Sequence, residues 1–257
     1  MLATLLTEGS VSWLYYADRV NQFPLGVVGV AIGVALLPTL SRNITEGNFE
    51  AAIELQNRAV ELCFLLCIPA SAAFFVLAEP ISIVLFQRGE FTSADTRATA
   101  QALTAFSLGL PAFVLIKAFS PGFFARKDTT TPVQVAVVSM ILNVILAVFL
   151  MQFLAHVGIA LATTITSWVN AFALATLLIR RGYFRFEMTL LNRLPSIVFS
   201  SLLMAVCLWF GVNAVMESFS GDELTRTGAL FSLIFFGGLI YLSVGQIMGA
   251  FRLSEFW

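Results

Sequence analysis

An all-α membrane bundle of about seven spanning helices is the fold this sequence predicts, and three observations predict it. Of the 257 residues, 59% are hydrophobic and only 11% charged, against about 25% charged in an ordinary soluble domain. The mean hydropathy is +0.91 and 25 residues are Phe, more apolar surface than a globule of this size hides with so few charges. The apolar residues also come in long blocks. Crossing a hydrocarbon core of about 30 Å takes about 20 residues at about 1.5 Å each.

By that ruler the spans run approximately over residues 11–40, 59–86, 98–123, 132–153, 157–179, 194–216 and 227–250. The first is long, and Pro24 near its middle removes a backbone donor and is expected to bend it. The opening MLATLLTEGS has no basic n-region and too short an apolar run for a signal peptide, so it reads as a loop. Lys and Arg set the orientation. Arg42 and Arg58 follow the first span, Lys117, Arg126 and Lys127 border the third, and Arg180, Arg181, Arg185 and Arg193 follow the fifth. The alternate loops carry only Arg88, Arg97 and Arg226, diluted by Glu90, Asp95, Asp222 and Glu223. The chain is therefore expected to start outside and end inside, with Arg252 in a cytoplasmic tail.

Two loops have patterns of their own. In TEGNFEAAIELQNR, Phe49, Ile53 and Gln56 or Asn57 fall at helical spacing with Thr45 or Asn48 as cap, which suits either a short surface helix or an extension of the second span. RGEFTSADTRATAQ reads as an external turn with Ser93 or Asp95 capping the next helix.

Enzyme chemistry finds little to work with. His156 is the single histidine and is expected to be a solvated loop residue, so neither a His-based metal site nor a Ser-His or Cys-His pair can be assembled. Cys63, Cys67 and Cys207 lie in apolar runs without zinc or thioredoxin spacing, and read as small buried hydrophobes. A net charge of −1 says nothing about partners, but no basic run marks a nucleic-acid surface, so no nucleic-acid partner is expected. The glycines of GVVGVAIG have no preceding strand and are not a nucleotide fingerprint. Gly29 and Gly33 instead form a G-x-x-x-G pair suited to close helix approach.

One segment stands apart. In WLYYADRVNQFPLGVVGVAIGVALLPTL, the 3.6-residue period puts Ser12, Tyr15, Arg19, Gln22 and Gly26 on one stripe of a helix that is otherwise apolar. Arg19 then lies roughly 12 Å inside the outer end. Such a placement costs about 2.5 to 3.5 kcal/mol on insertion scales, which marks a pathway or binding-site residue. Neighbours on a helix diverge by about 100°, so Asp18 is expected to reach Gln22 or another helix rather than Arg19. A planar guanidinium grips phosphate in a fork, which favours a cationic cavity for an anionic head group; the bland alternative is a helix-packing pair. Asn143, Thr163, Thr164 and Thr166 suit either interhelical hydrogen bonds or cation ligands.

GSVSWLYYADRVNQFPLGVVGVAIGVALLPTLSR, LFQRGEFTSADTRATAQAL and FSPGFFARKDTTTPVQVAVVSMILNV resemble, in order and spacing, the MurJ (MviN) family of lipid II flippases. That family lies within the multidrug, oligosaccharidyl-lipid and polysaccharide exporters. The resemblance implies fourteen helices in two pseudo-symmetric bundles plus a final pair, of which this chain matches helices eight to fourteen. Residues 1–182 correspond to the second bundle without its first helix, and residues 183–257 to the final pair, with a groove for a lipid tail. The N-terminal half of the transporter is then a missing partner.

The function implied is no enzymatic one. It is the transfer of undecaprenyl-pyrophosphate-linked peptidoglycan precursor from the cytoplasmic to the outer leaflet by alternating access, in the bacterial inner membrane and for cell wall synthesis. The family's cavity arginine matches Arg19, with Asp18, Gln22 and Ser12 as cavity neighbours and Pro24, Gly26, Gly29 and Gly33 shaping and packing the helix. Cell-division or cell-wall machinery is an implied partner. A sodium ion bound by some relatives matches Asn143 and Thr163, but Ala147 stands where they have a carboxylate. The rival readings are a polysaccharide-lipid flippase, a drug or toxin antiporter of the same superfamily, and an inactive fragment.

Overall fold

The computed structural model describes residue 3 and residues 6–251; Arg252, assigned above to a cytoplasmic tail, lies outside them. Among the described residues every regular element is helical: α1 (Ser10–Thr45), α2 (Phe49–Phe86), α3 (Ser93–Ser107), α4 (Leu110–Phe124), α5 (Thr130–Arg180), α6 (Met188–Ala214), a short 3-10 turn (Met216–Ser220) and α7 (Glu223–Ile247). Helices α1, α2, α5, α6 and α7 are each long and apolar enough to cross a membrane, and α3 with α4 makes a sixth unit bent by 40°.

Helix α5 is two spans, not one. Its backbone leaves helical geometry at Ala155 (φ 46°, ψ −128°). Across that break Asn143 Nδ2 donates to Thr163 Oγ1 at 3.3 Å and to Thr166 Oγ1 at 3.1 Å. Residues 20 apart in one straight helix lie about 30 Å from each other. The chain therefore reverses at Ala155, and arms 130–154 and 156–180 are antiparallel neighbours. With this reversal the expected seven spans are all present, although the third is broken at Leu108 and Gly109.

The reversal at Ala155 uses a backbone region that glycine visits cheaply and other residues do not. Ala155→Gly is therefore expected to stabilise the protein by about 1 kcal/mol. A thermal-melting series in detergent that showed no gain would count against the strained turn.

A membrane interior has no water to satisfy backbone groups, so each broken helix bond needs a replacement. At the α3–α4 bend the amide of Gly109 turns to Phe106 O, and three neighbouring carbonyls recruit side chains instead. Thr164 Oγ1 donates to Ala105 O at 2.7 Å, Ser71 Oγ to Ser107 O at 2.6 Å, and Trp168 Nε1 to Leu108 O at 2.9 Å. Pro69 likewise cannot donate to Leu65 O, the carbonyl four residues before it. Tyr241 of α7 supplies that bond at 2.7 Å and ties the last helix to α2.

Helix α2 is the hub, packing against α1, α3, α4, α6 and α7. Cys63 and Cys67 are fully buried along it and Cys207 is half-buried. Large apolar side chains on the outer surfaces, among them Phe153 at 71% exposure, form the face that suits lipid.

The loops gather at two ends, as alternating spans require. At one end Asn57 donates to Arg185 O, Arg185 pairs with Glu50, and Arg181 pairs with Asp128. At the other, Arg88 pairs with Glu223, and Trp13 Nε1 donates to Asp95 Oδ1 at 2.8 Å. The arginine-rich loops thus share one end. The segment from Phe49 simply extends α2, and Asn48 makes no side-chain cap. The cap of α3 is Thr92, in a reciprocal box with Asp95, one residue before the expected Ser93. His156 is not a solvated loop residue: it is 8% exposed, bonded through Nε2 to Ala98 O at 2.9 Å and packed edge-on against Trp13. The hairpin turn folds it back onto α3.

Asp128 pins the loop before α5 to the far end of that helix. It accepts from the Thr131 hydroxyl at 2.6 Å and the Thr131 amide at 3.0 Å, while Arg181 bonds both Asp128 and Thr131. Thr131 first, and then Arg181, hold its carboxyl down from 3.8 to about 2. A depressed folded-state value means that this contribution is complete above about pH 4 and is lost as pH falls toward about 2. Asp128→Asn should melt below the parent protein at neutral pH, and the gap should close between about pH 4 and about pH 2. A gap independent of pH would mean that the charge is not what stabilises the loop.

Candidate functional site

The polar stripe of α1 lies on an open face of the bundle. Ser12, Tyr15, Arg19, Gln22 and Gly26 are all exposed, and Asp18 is half-buried beside them. The reason is the helical period: Ala17 and Asn21, on the opposite side, are fully buried against the bundle. Phe23 and Val27, at 76% and 62% exposure, flank the stripe. Arg19 is nine residues from the start of α1, about 13 Å along the axis.

Three side chains form a chain of contacts. Gln22 Nε2 donates to Asp18 Oδ2 at 2.5 Å, Arg19 Nη1 donates to Gln22 Oε1 at 3.4 Å, and the Arg19 guanidinium lies 4.7 Å from the centre of the Tyr15 ring. Asp18 therefore reaches Gln22, as the helical geometry predicts. Gln22 serves both neighbours at once: its amide hydrogens go to the carboxylate and its carbonyl to the guanidinium. Arg19 has five N–H donors, and a single long bond to Gln22 is the one described for it. Stacking on Tyr15 holds the plane while leaving most of the fork toward the open side.

Further along α1 the glycines divide. A Cβ at Gly29 would lie 2.6 Å from Cδ of Lys117 and 3.1 Å from its Nζ, so Gly29 makes room for the lysine stem, not for another helix backbone. Gly26 and Gly33 have open space where a Cβ would sit. Close packing thus falls on one member of the G-x-x-x-G pair. Pro24 sits inside an unbroken helical assignment and leaves the carbonyl of Val20 without its helical donor.

Lys117 and Asn21 are missed by the sequence reading. Lys117 looks like a loop flank there, but it lies in the middle of α4, half-buried against α1. Asn21 is 2% exposed, with no hydrogen-bond partner for its Oδ1 among the described residues. Its signal was available, because a polar residue two positions from Arg19 lies about 200° around the helix and so on the bundle side.

The candidate sodium residues meet, but as a self-satisfied cluster. Thr163 and Thr166 donate to Ile159 O and Ala162 O of their own helix and both accept from Asn143. Ala147, on the same arm as Asn143, is 1% exposed and adds only a methyl group. Among the described residues no three His, Cys, Asp or Glu side chains converge. These donors are neutral, and their hydrogen bonds tie the two arms of α5 together.

Comparison with known proteins bears on the same residues. The family model described as "Lipid II flippase MurJ" matches residues 1–229. This chain belongs to the MurJ lipid II flippase family. A probable lipid II flippase MurJ of Rhizobium meliloti (strain 1021) is 45% identical over 249 residues, covering 96% of this chain and 46% of the relative. The counterpart in Rhizobium tropici is 40% identical over 245 residues, covering 94% and 46%. That of Vibrio cholerae serotype O1 is 33% identical over 254 residues, covering 99% and 48%. The chain spans about half the length of these curated MurJ relatives. The matched region contains the whole polar stripe of α1.

Proposed function

We propose that this MurJ chain forms one wall of a cavity that carries lipid II across the bacterial inner membrane. The substrate is the undecaprenyl-pyrophosphate-linked peptidoglycan precursor, moved from the cytoplasmic to the outer leaflet. The observation that carries the reading is Arg19: an intramembrane guanidinium held by Tyr15 and Gln22 on an open face, with most of its donors unspent. A pyrophosphate is a fitting acceptor, because its oxygens match the guanidinium fork and its charge offsets the cost of placing arginine inside a membrane.

In this reading Arg19 contacts the pyrophosphate, Gln22 and Asp18 orient Arg19, and Ser12 lines the outer approach. The facing wall would come from the remainder of a transporter of the relatives' length. Residues 1–182 would belong to the moving bundle, and the pair formed by α6 and α7 would flank the lipid tail. Alternating access then carries the head group past the apolar core while the tail stays in the bilayer. Transport of a charged head group responds to membrane potential by about 2.3 kcal/mol per charge per 100 mV.

An antiporter would be expected to couple through free intramembrane carboxylates. Glu61 is bonded to Arg193 at 2.5 Å, Glu79 lies 4.0 Å from Arg97, and Asp18 accepts from Gln22 beside Arg19. That arrangement favours head-group binding over drug exchange. The test is depletion of this protein in its own host with analysis of lipid-linked sugars in each leaflet. Accumulation of the peptidoglycan precursor on the cytoplasmic side is expected. Accumulation of a different polyprenyl-linked saccharide, or of none, would overturn the assignment.

A further inference from the structure

Away from the open face of α1, a cavity of about 590 Å3 opens between α2 and the start of α6. Its volume falls in the range of about 300 to 1,000 Å3 that holds small ligands. Two guanidinium groups and three carboxylates line it: Arg58, Arg193, Glu54, Glu61 and Glu187. They form one fixed pair and one loose pair. Glu61 and Arg193 meet at 2.5 Å with only 17% and 21% of their side chains exposed, whereas Arg58 and Glu54 pair at 3.1 Å with 73% and 57% exposed. Leu65, Leu190 and Phe251 supply an apolar floor.

Two features give the position chemical meaning. The cavity lies at the ends of α2 and α6 that share the arginine-rich loops, the depth at which inner-leaflet head groups sit. Arg58 and Leu62 also line a second, apolar groove of about 450 Å3 between α1 and α2, walled by Val28, Leu36 and Leu66. A charged chamber that opens over one residue ridge into an apolar trough has the two-part chemistry of a phospholipid.

We propose that this chamber binds the head group of a zwitterionic phospholipid of the phosphoethanolamine type, with an acyl chain in the adjoining groove. The head group would reside at the joint between bundle and final helix pair, away from Arg19, and the acyl chain in a groove whose α1 wall reaches Val27 at the edge of the polar stripe. Charge selects the class. Three carboxylates against two guanidinium groups leave the lining net negative, which disfavours a purely anionic head group, including a pyrophosphate. A zwitterion places its phosphate at Arg58 and its ammonium at Glu54 and Glu187. A primary ammonium donates up to three hydrogen bonds to those carboxylates. A trimethylammonium donates none and is better held by an aromatic cage.

The test uses protein purified from membranes, stripped of lipid and offered phosphatidylethanolamine, phosphatidylcholine or phosphatidylglycerol of identical chains, with retained lipid read by native mass spectrometry. One phosphatidylethanolamine is expected to remain, preferred over phosphatidylglycerol by about tenfold or more, a difference of about 1.4 kcal/mol. Glu54→Gln combined with Arg58→Gln removes the exposed pair and leaves the buried Glu61–Arg193 pair alone. It should lower that retention about tenfold and abolish the rise in melting temperature that phosphatidylethanolamine gives the parent protein. Retention of phosphatidylcholine or phosphatidylglycerol equal to or above that of phosphatidylethanolamine, or undiminished retention in the double variant, would overturn the proposal. Neither outcome depends on which substrate Arg19 contacts.

Discussion

Cells depleted of their own flippase and relying on a transporter that carries Arg19→Ala in this helix are expected to stop growing, with the variant present at normal level. The guanidinium is the charged group on the open face that can bond an anion in a fork, and Gln22 and Tyr15 already hold it in place. A hydrogen bond to a charged group contributes about 1.5 to 3 kcal/mol net, so losing one such contact weakens head-group binding about ten- to 150-fold. Arg19→Lys keeps the charge and loses the fork, and should fall between parent and alanine variant. Growth of the alanine variant at the parental rate would remove Arg19 from the pyrophosphate contact.

Gly158→Ala is expected to carry the largest cost in stability. A Cβ there would lie 2.4 Å from the carbonyl oxygen of Leu150, 2.5 Å from its carbon and 2.8 Å from the amide nitrogen of Met151. These are backbone atoms of the preceding arm, so no rotamer change relieves the clash. The hairpin must open, and Asn143 then separates from Thr163 and Thr166. A cost of about 3 kcal/mol corresponds to a fall of about 6 to 12 °C in melting temperature for a chain of this size. The neighbouring Ala155→Gly change should move the melting temperature the other way. If Gly158→Ala melts with the parent, the close approach of the two arms is wrong.

The site is largely legible in the sequence because an amphipathic stripe is a local property. Ser12, Tyr15, Arg19 and Gln22 share a face by helical period alone, and the Asp18–Gln22 bond follows from i, i+4 geometry. The capping of α3 was missed by one residue because Thr92, Ser93 and Asp95 are all good caps, and only backbone geometry chooses among them. His156 was misplaced because the break falls at Ala155, not at a glycine, and only the packing of the returning arm on α3 brings His156 to Ala98. Lys117 was misplaced because a lysine near a span end looks the same whether it snorkels or packs on a glycine of another helix.

Hydropathy and helical period act within a single segment. They are enough to decide that the chain is a seven-span α bundle, which end gathers the arginines, and that one helix carries a polar face. Whether that face opens outward, which side chain mends each broken backbone bond, and which charges pair across the chain depend on residues far apart in sequence. Thr164 meets Ala105, Tyr241 meets Leu65 and Arg193 meets Glu61 across 59 or more positions. Such contacts form only when packing brings the helices together, because in a membrane the partners of polar groups are chosen by which helix lies alongside.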